Sequence, residues 1–267
     1  MTDSQKSVQD VQDLFDSSPM DDSTKSVAIA NLNTSAMALA ACQGVDPFEL
    51  GASEATLVFY IVDRSGSMQD VTDEVRRSLI ESVEAMKETK QAAALTLTQI
   101  NFNDWVEVVY ANRPVEEITA TDISYDACGS TALFEATLAA LTGALAYEEQ
   151  LLQAGLSTKG IVVVFSDGAD NSSPPNALNG VRALATELRN RENWVLAFVG
   201  FRTYERVDYK TIAQEMGFPA LLEVDLGADD YTRRHQIRQT FRLVSKSVIR
   251  QSQTMVDPNA AGGFFTV

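Results

Sequence analysis

Along the chain, unbroken apolar runs alternate with stretches whose apolar residues recur every three or four positions. Residues 55–63, ATLVFYIVD, form one such run and end on an acid, the pattern of a strand buried on both faces. Residues 71–89 follow with Val75, Leu79, Val83 and Met86 at helical spacing, an amphipathic helix. Residues 92–110 read as two strands around a polar turn at Asn103–Asp104, which predicts an antiparallel hairpin. A loop then leads to a helix at about 131–153. The second buried run, GIVVVFSDG at 160–168, again closes on an acid, Asp167. Beyond it come a helix opened by Pro174 and Pro175, a strand in NWVLAFVG and a helix in YERVDYKTIAQEMG. A short strand, ALLEVD, and a long last helix over about 228–251 complete the series.

This repeating order predicts an α/β fold: a doubly wound, mostly parallel sheet with one antiparallel edge strand and helices on both faces. The main domain is expected at 51–251. Residues 1–22 carry Asp3, Asp10, Asp13, Asp16, Asp21 and Asp22 among few apolar residues, and read as a flexible acidic arm. Its VQDLFDSS piece is a candidate partner motif. Residues 23–50 predict one helix capped by Ser23, an N-terminal extension packed on the main domain. Residues 252–267 form a tail. Its GGFFTV end suits either a partner-binding peptide or a clip onto the body, and the pattern does not choose between them.

Charge narrows the function classes. With 21 Lys and Arg against 37 Asp and Glu, the net charge of −16 argues against a nucleic-acid or membrane-surface binder. The start has no basic and apolar leader pattern, and no window is apolar enough to span a bilayer. Cys42 and Cys128, the only cysteines, have no metal or disulfide spacing, which suits reduced thiols in the cytoplasm. Cys128 is expected to be a small buried side chain.

In open α/β sheets, ligands sit beyond the carboxyl ends of the strands, where strand order reverses. Asp63 and Asp167 both stand at such ends. Alternate residues of an extended segment point the same way, so Asp63, Ser65 and Ser67 of DRSGSM can converge. Thr131, after Gly129 and Ser130, sits where a loop enters a helix. The set comprises two carboxylates and three hydroxyls, all oxygen, which suits a hard divalent cation. Asp170 and Asn171 read as loop and cap residues.

DRSGSM resembles the D-x-S-x-S signature of the von Willebrand factor A family. Thr131 in GSTALFEA and Asp167 in VVFSDGADN fall where that family places its later metal ligands. The similarity spans about residues 51–251 in element order. It implies a metal-ion-dependent adhesion site holding Mg²⁺, with Mn²⁺ or Ca²⁺ as substitutes. Ser65, Ser67 and Thr131 would meet the metal through their hydroxyls, and Asp63 and Asp167 directly or through water. A partner protein's carboxylate would take the remaining position. The expected function is that of a cytoplasmic, bacterial adaptor, by analogy one that serves a MoxR-type AAA+ ATPase or a stress and defence module. A structural subunit that self-associates head-to-tail through the metal is the alternative from another class.

Enzyme readings are weaker. The only histidine, His235, lies on the last helix, and neither a G-x-S-x-G elbow nor a phosphate loop occurs. A metal-dependent phosphate-ester enzyme would want further acids or a lysine at the metal. The last helix carries Arg234, Arg238, Arg242, Lys246 and Arg250 beside an apolar stripe of Ile237, Phe241, Val244 and Val248. That basic face is expected to pair with surface acids, or else to dock a partner such as the chain's own acidic N-terminus.

Overall fold

The computed structural model describes residues 5–202, 207–253 and 263–266. In chain order its elements are α1 (Val8–Ser17), α2 (Asp22–Thr34), α3 (Ala36–Ala41), β1 (Glu54–Asp63), α4 (Thr72–Lys87), β2 (Leu95–Phe102) and β3 (Val106–Pro114). They continue with α5 (Leu133–Gln153), β4 (Ser157–Ser166), α6 (Ala177–Asn190), β5 (Trp194–Arg202), α7 (Tyr209–Met216), β6 (Ala220–Asp225) and α8 (Asp230–Gln253). Part of the helix expected in YERVDYKTIAQEMG, and residues 254–262 and 267 of the tail, lie outside the described residues.

The strands form one sheet in the order β3-β2-β1-β4-β5-β6. All neighbours are parallel except β2 and β3, so β3 is the antiparallel edge. Helices cover both faces, as the βα order predicts. Leu57, Phe59 and Ile61 of β1 point into the layer under α5 and α6. Val58, Tyr60 and Val62 point into the layer under α4 and α8. Strict alternation on a strand buried on both sides leaves no polar face, which explains the unbroken apolar run. On the α8 side, Phe165 of β4 stacks on Phe241 at 4.5 Å, which fastens the last helix to the sheet. Among the described residues no helix is long and apolar enough to cross a membrane.

The N-terminal region departs from expectation. The arm read as flexible contains α1, opened by a capping box in which Ser7 and Asp10 exchange side-chain and backbone hydrogen bonds of 2.8 and 3.2 Å. Val11 and Phe15 are fully buried, and α1 packs on α2 and α5. Averaging over many aspartates hides a short apolar stripe at helical spacing. The extension is two helices, not one: α2 and α3 break at Ser35, whose side chain caps α3. The cap of α2 is Asp21, which accepts from Thr24 N at 3.0 Å, rather than Ser23.

These helices cover the outer side of α5, which is why α5 is apolar almost all round. Gly143 permits the close approach of α3, because a Cβ there would lie 2.5 Å from the carbonyl oxygen of Ala41. Asn112 of β3 fastens the end of α3, donating to the carbonyls of Ala41 at 3.1 Å and Gln43 at 2.7 Å.

Among the described residues the basic face of α8 does not meet the acidic N-terminal helices, which lie across the sheet. Two of its cations pair instead with α4, Arg238 with Glu74 and Arg242 with Glu81, and Arg233 beside them pairs with Asp70. Arg250 donates to the carbonyls of Gly263, Phe264 and Thr266. Phe264 is buried in the α4 and α8 layer, so residues 263–266 clip onto the body.

Candidate metal centre

Strand order reverses beside β1: β2 lies on one flank and β4 on the other. The loops leaving the carboxyl ends of β1 and β4 therefore diverge, and a crevice opens between them. Asp63 ends β1, and Asp167 immediately follows β4.

The loop after β1 is pinned on both sides. Arg64 N donates to Phe102 O at 2.7 Å, Cys128 N to Arg64 O at 2.7 Å, and Gly66 N to Gly129 O at 3.0 Å. Gly129 has φ +80°, and a Cβ there would lie 2.1 Å from Asp104 Oδ1 at the hairpin tip. Only glycine fits this turn without displacing its neighbours. The tip also holds the start of α5, because Asn103 O accepts from Ala132 N at 2.6 Å.

Ser65 and Ser67 point the same way, with their hydroxyl oxygens 3.1 Å apart. Ser67 Oγ donates to Asp167 Oδ1 at 2.8 Å, which joins the two strand ends across the crevice. Thr131 is fixed through its backbone: its N–H donates to Asn171 Oδ1 at 2.8 Å, and its carbonyl accepts from Asn171 N at 3.0 Å. Ser65, Ser67, Thr131 and Asp167 all line one cavity of about 940 Å³. Asp63 lies beneath it, fully buried. Its Oδ1 accepts from Ser65 N at 2.8 Å and its Oδ2 from Ser166 Oγ at 2.6 Å. Burial pushes the Asp63 carboxyl above the usual carboxylate range, and the bonds from Ser166 and Ser65 oppose that rise.

Of the five residues the sequence singles out, four share the cavity wall and Asp63 supports them from below. Among the described residues no group of three or more His, Cys, Asp and Glu side chains gathers as a metal cluster. Any cation here would rest on hydroxyls and two acids. That all-oxygen donor set fits Mg²⁺, which keeps several of its own waters and needs few protein ligands.

Sequence reasoning missed the supports. Ser166 reaches Asp63 because β4 runs beside β1 with Val62 opposite Phe165, a register no spacing rule reveals. Tyr125 Oη donates to Asp63 O at 2.6 Å, and Tyr209 Oη to Asp167 O at 2.9 Å. Asp170 behaves as a cap, accepting from Phe134 N at 3.2 Å in the first turn of α5. Cys128 is exposed, not buried, and its Sγ accepts from Asn103 Nδ2 of the hairpin turn at 3.4 Å. His235 is exposed on α8, stacked on Tyr231 at 6.3 Å.

No protein-family model and no curated protein sequence matches this chain. Solved structures do match. The PilB minor pilin from Streptococcus sanguinis superposes with a TM-score of 0.54 at 12% identity, over 76% of this chain and 63% of that one. The open conformation of the pilus adhesin SpaC from Lactobacillus rhamnosus GG gives 0.50 at 13% identity, over 75% of this chain and 30% of that one. Proximal thread matrix protein 1 from the mussel byssus gives 0.50 at 12% identity, over 74% and 47%. This chain thus spans under two thirds of the length of each. At such identities the likeness is one of fold: an α/β sheet domain shared with these larger proteins.

Proposed function

We propose that the crevice beyond β1 and β4 is a metal-ion-dependent adhesion site of the von Willebrand factor A type, which binds Mg²⁺ and through it a carboxylate of a partner protein. The observation that carries this reading is the convergence of Ser65, Ser67, Thr131 and Asp167 on one cavity wall above buried Asp63. The motif spacing that resembles the family and the crevice at the strand-order reversal point to the same five residues.

Ser65, Ser67 and Thr131 would hold the ion through neutral hydroxyls. Asp167 faces the cavity and would act as the acid nearest the ion. Asp63, engaged by Ser65 N and Ser166, orients the loop and supplies negative charge from below. When bound, Mg²⁺ supplies an under-neutralised Lewis-acid position that attracts one further carboxylate. The pinned backbone of Arg64 and Gly66 keeps the serines in place before any ligand arrives, which lowers the ordering cost of binding.

This reading makes the protein an interaction module, with an AAA+ ATPase among its candidate partners, rather than an enzyme. Captures from the native host with wild type and Asp63→Ala, each with Mg²⁺ or EDTA, test it. A partner retained only by wild type with Mg²⁺ is expected. Identical partners in all four captures would overturn it. Mg²⁺-dependent growth in light scattering of the purified protein would identify the carboxylate donor as a second copy.

A further inference from the structure

A second cavity, of about 270 Å³, lies between α4 and α8 and shares no lining residue with the crevice. Ser78 and Glu81 contribute from α4, and Arg238, Arg242 and Lys246 from α8. Among the lining residues three cations thus meet one acid, with Glu74 beside Arg238 as a second, in a chain whose net charge is −16.

Ser78 is 1% exposed, and its Oγ has no hydrogen-bond partner among the described residues. A serine inside a helix ordinarily bonds the carbonyl one turn back, as Ser245 does to Phe241 O at 2.9 Å. Ser82, one turn along α4, bonds Tyr60 Oη at 3.0 Å. An orphaned buried hydroxyl among satisfied neighbours calls for a missing partner. The cations around it are only partly engaged. Glu74 takes Nε and Nη2 of Arg238, at 2.9 and 3.2 Å, which leaves Nη1. Glu81 takes only Nη2 of Arg242, at 3.3 Å, and Lys246 is exposed and bonded to none of the described residues.

We propose that this groove binds a phosphoryl group, as the free ion or on a small ester. Lys246 and Arg242 neutralise its charge, and the Ser78 hydroxyl donates to one of its oxygens. A phosphoryl group suits the groove better than a carboxylate. It carries nearly two charges at neutral pH, and its three oxygens can accept from both helical walls at once. A planar carboxylate offers two oxygens and one charge.

The test is a backbone amide NMR titration of the full chain with inorganic phosphate, at fixed ionic strength and in EDTA so that no metal draws phosphate to the crevice. Saturable shifts centred on residues 78–85 and 238–246 are expected. Ser78→Ala should weaken binding about tenfold, the usual worth of a hydrogen bond to a charged group. Lys246→Ala, an exposed change that leaves the fold intact, should weaken it about threefold. Glycerol phosphate binding more tightly than phosphate assigns the site to esters, and equal binding assigns it to the free ion; either supports the groove. Shifts that chloride reproduces, acetate binding as well as phosphate, or wild-type affinity in both variants would overturn the proposal.

Discussion

Asp63 is wholly buried, and both its carboxylate oxygens are engaged, one by the loop that follows it and one by the neighbouring strand. Replacing Ser166 by Ala removes the 2.6 Å donor and leaves a buried carboxylate oxygen short of a partner. We expect a loss of about 1–3 kcal/mol, read from urea unfolding, together with weaker Mg²⁺ binding. Gly129→Ala must adopt φ +80° and displace Asp104, so a loss of about 1–3 kcal/mol is expected there too. Alternation brings Asp63, Ser65 and Ser67 to one side and the strand ends place Asp63 and Asp167, so these follow from local geometry, whereas Thr131, in the loop before α5, is marked by its likeness to the family motif. Ser166 and Tyr125 were not legible, since their roles depend on which strands and loops become neighbours. The exposure of Cys128 likewise depends on where its loop meets Asn103 of the hairpin turn.

The strands and the helices flanking them follow from periodicity, which reports burial directly. The first helix does not stand out, because a few apolar positions are diluted by acids. Its capping box, Ser7 followed three positions later by Asp10, was the available signal. Phe15→Ala should cost about 3–5 kcal/mol in a chemical denaturation, the usual penalty for emptying a buried aromatic site. A flexible arm would lose almost nothing. At the other end of the chain, Phe264→Ala should destabilise by a similar about 3 kcal/mol, since that side chain is 1% exposed against the α8 layer. The basic face of α8 shows the limit of pattern reading. Charge spacing marks a cationic stripe, but only packing reveals that Arg238 clasps the buried acid Glu74.

At the scale of the whole molecule, the sheet order places the reversal beside β1, and the same reversal opens the crevice where the motif residues gather. Fold class and the position of the crevice are therefore linked through the strand order alone. The N-terminal helices, by contrast, are an added layer over α5 that βα alternation does not anticipate. The five residues are proposed to act as one Mg²⁺ site, and isothermal titration of Mg²⁺ into the metal-free protein is the decisive experiment. A single saturable site is expected in wild type, absent in Asp63→Ala and weakened about tenfold or more in Ser67→Ala. No saturable heat in wild type, or the same affinity in both variants, would contradict it.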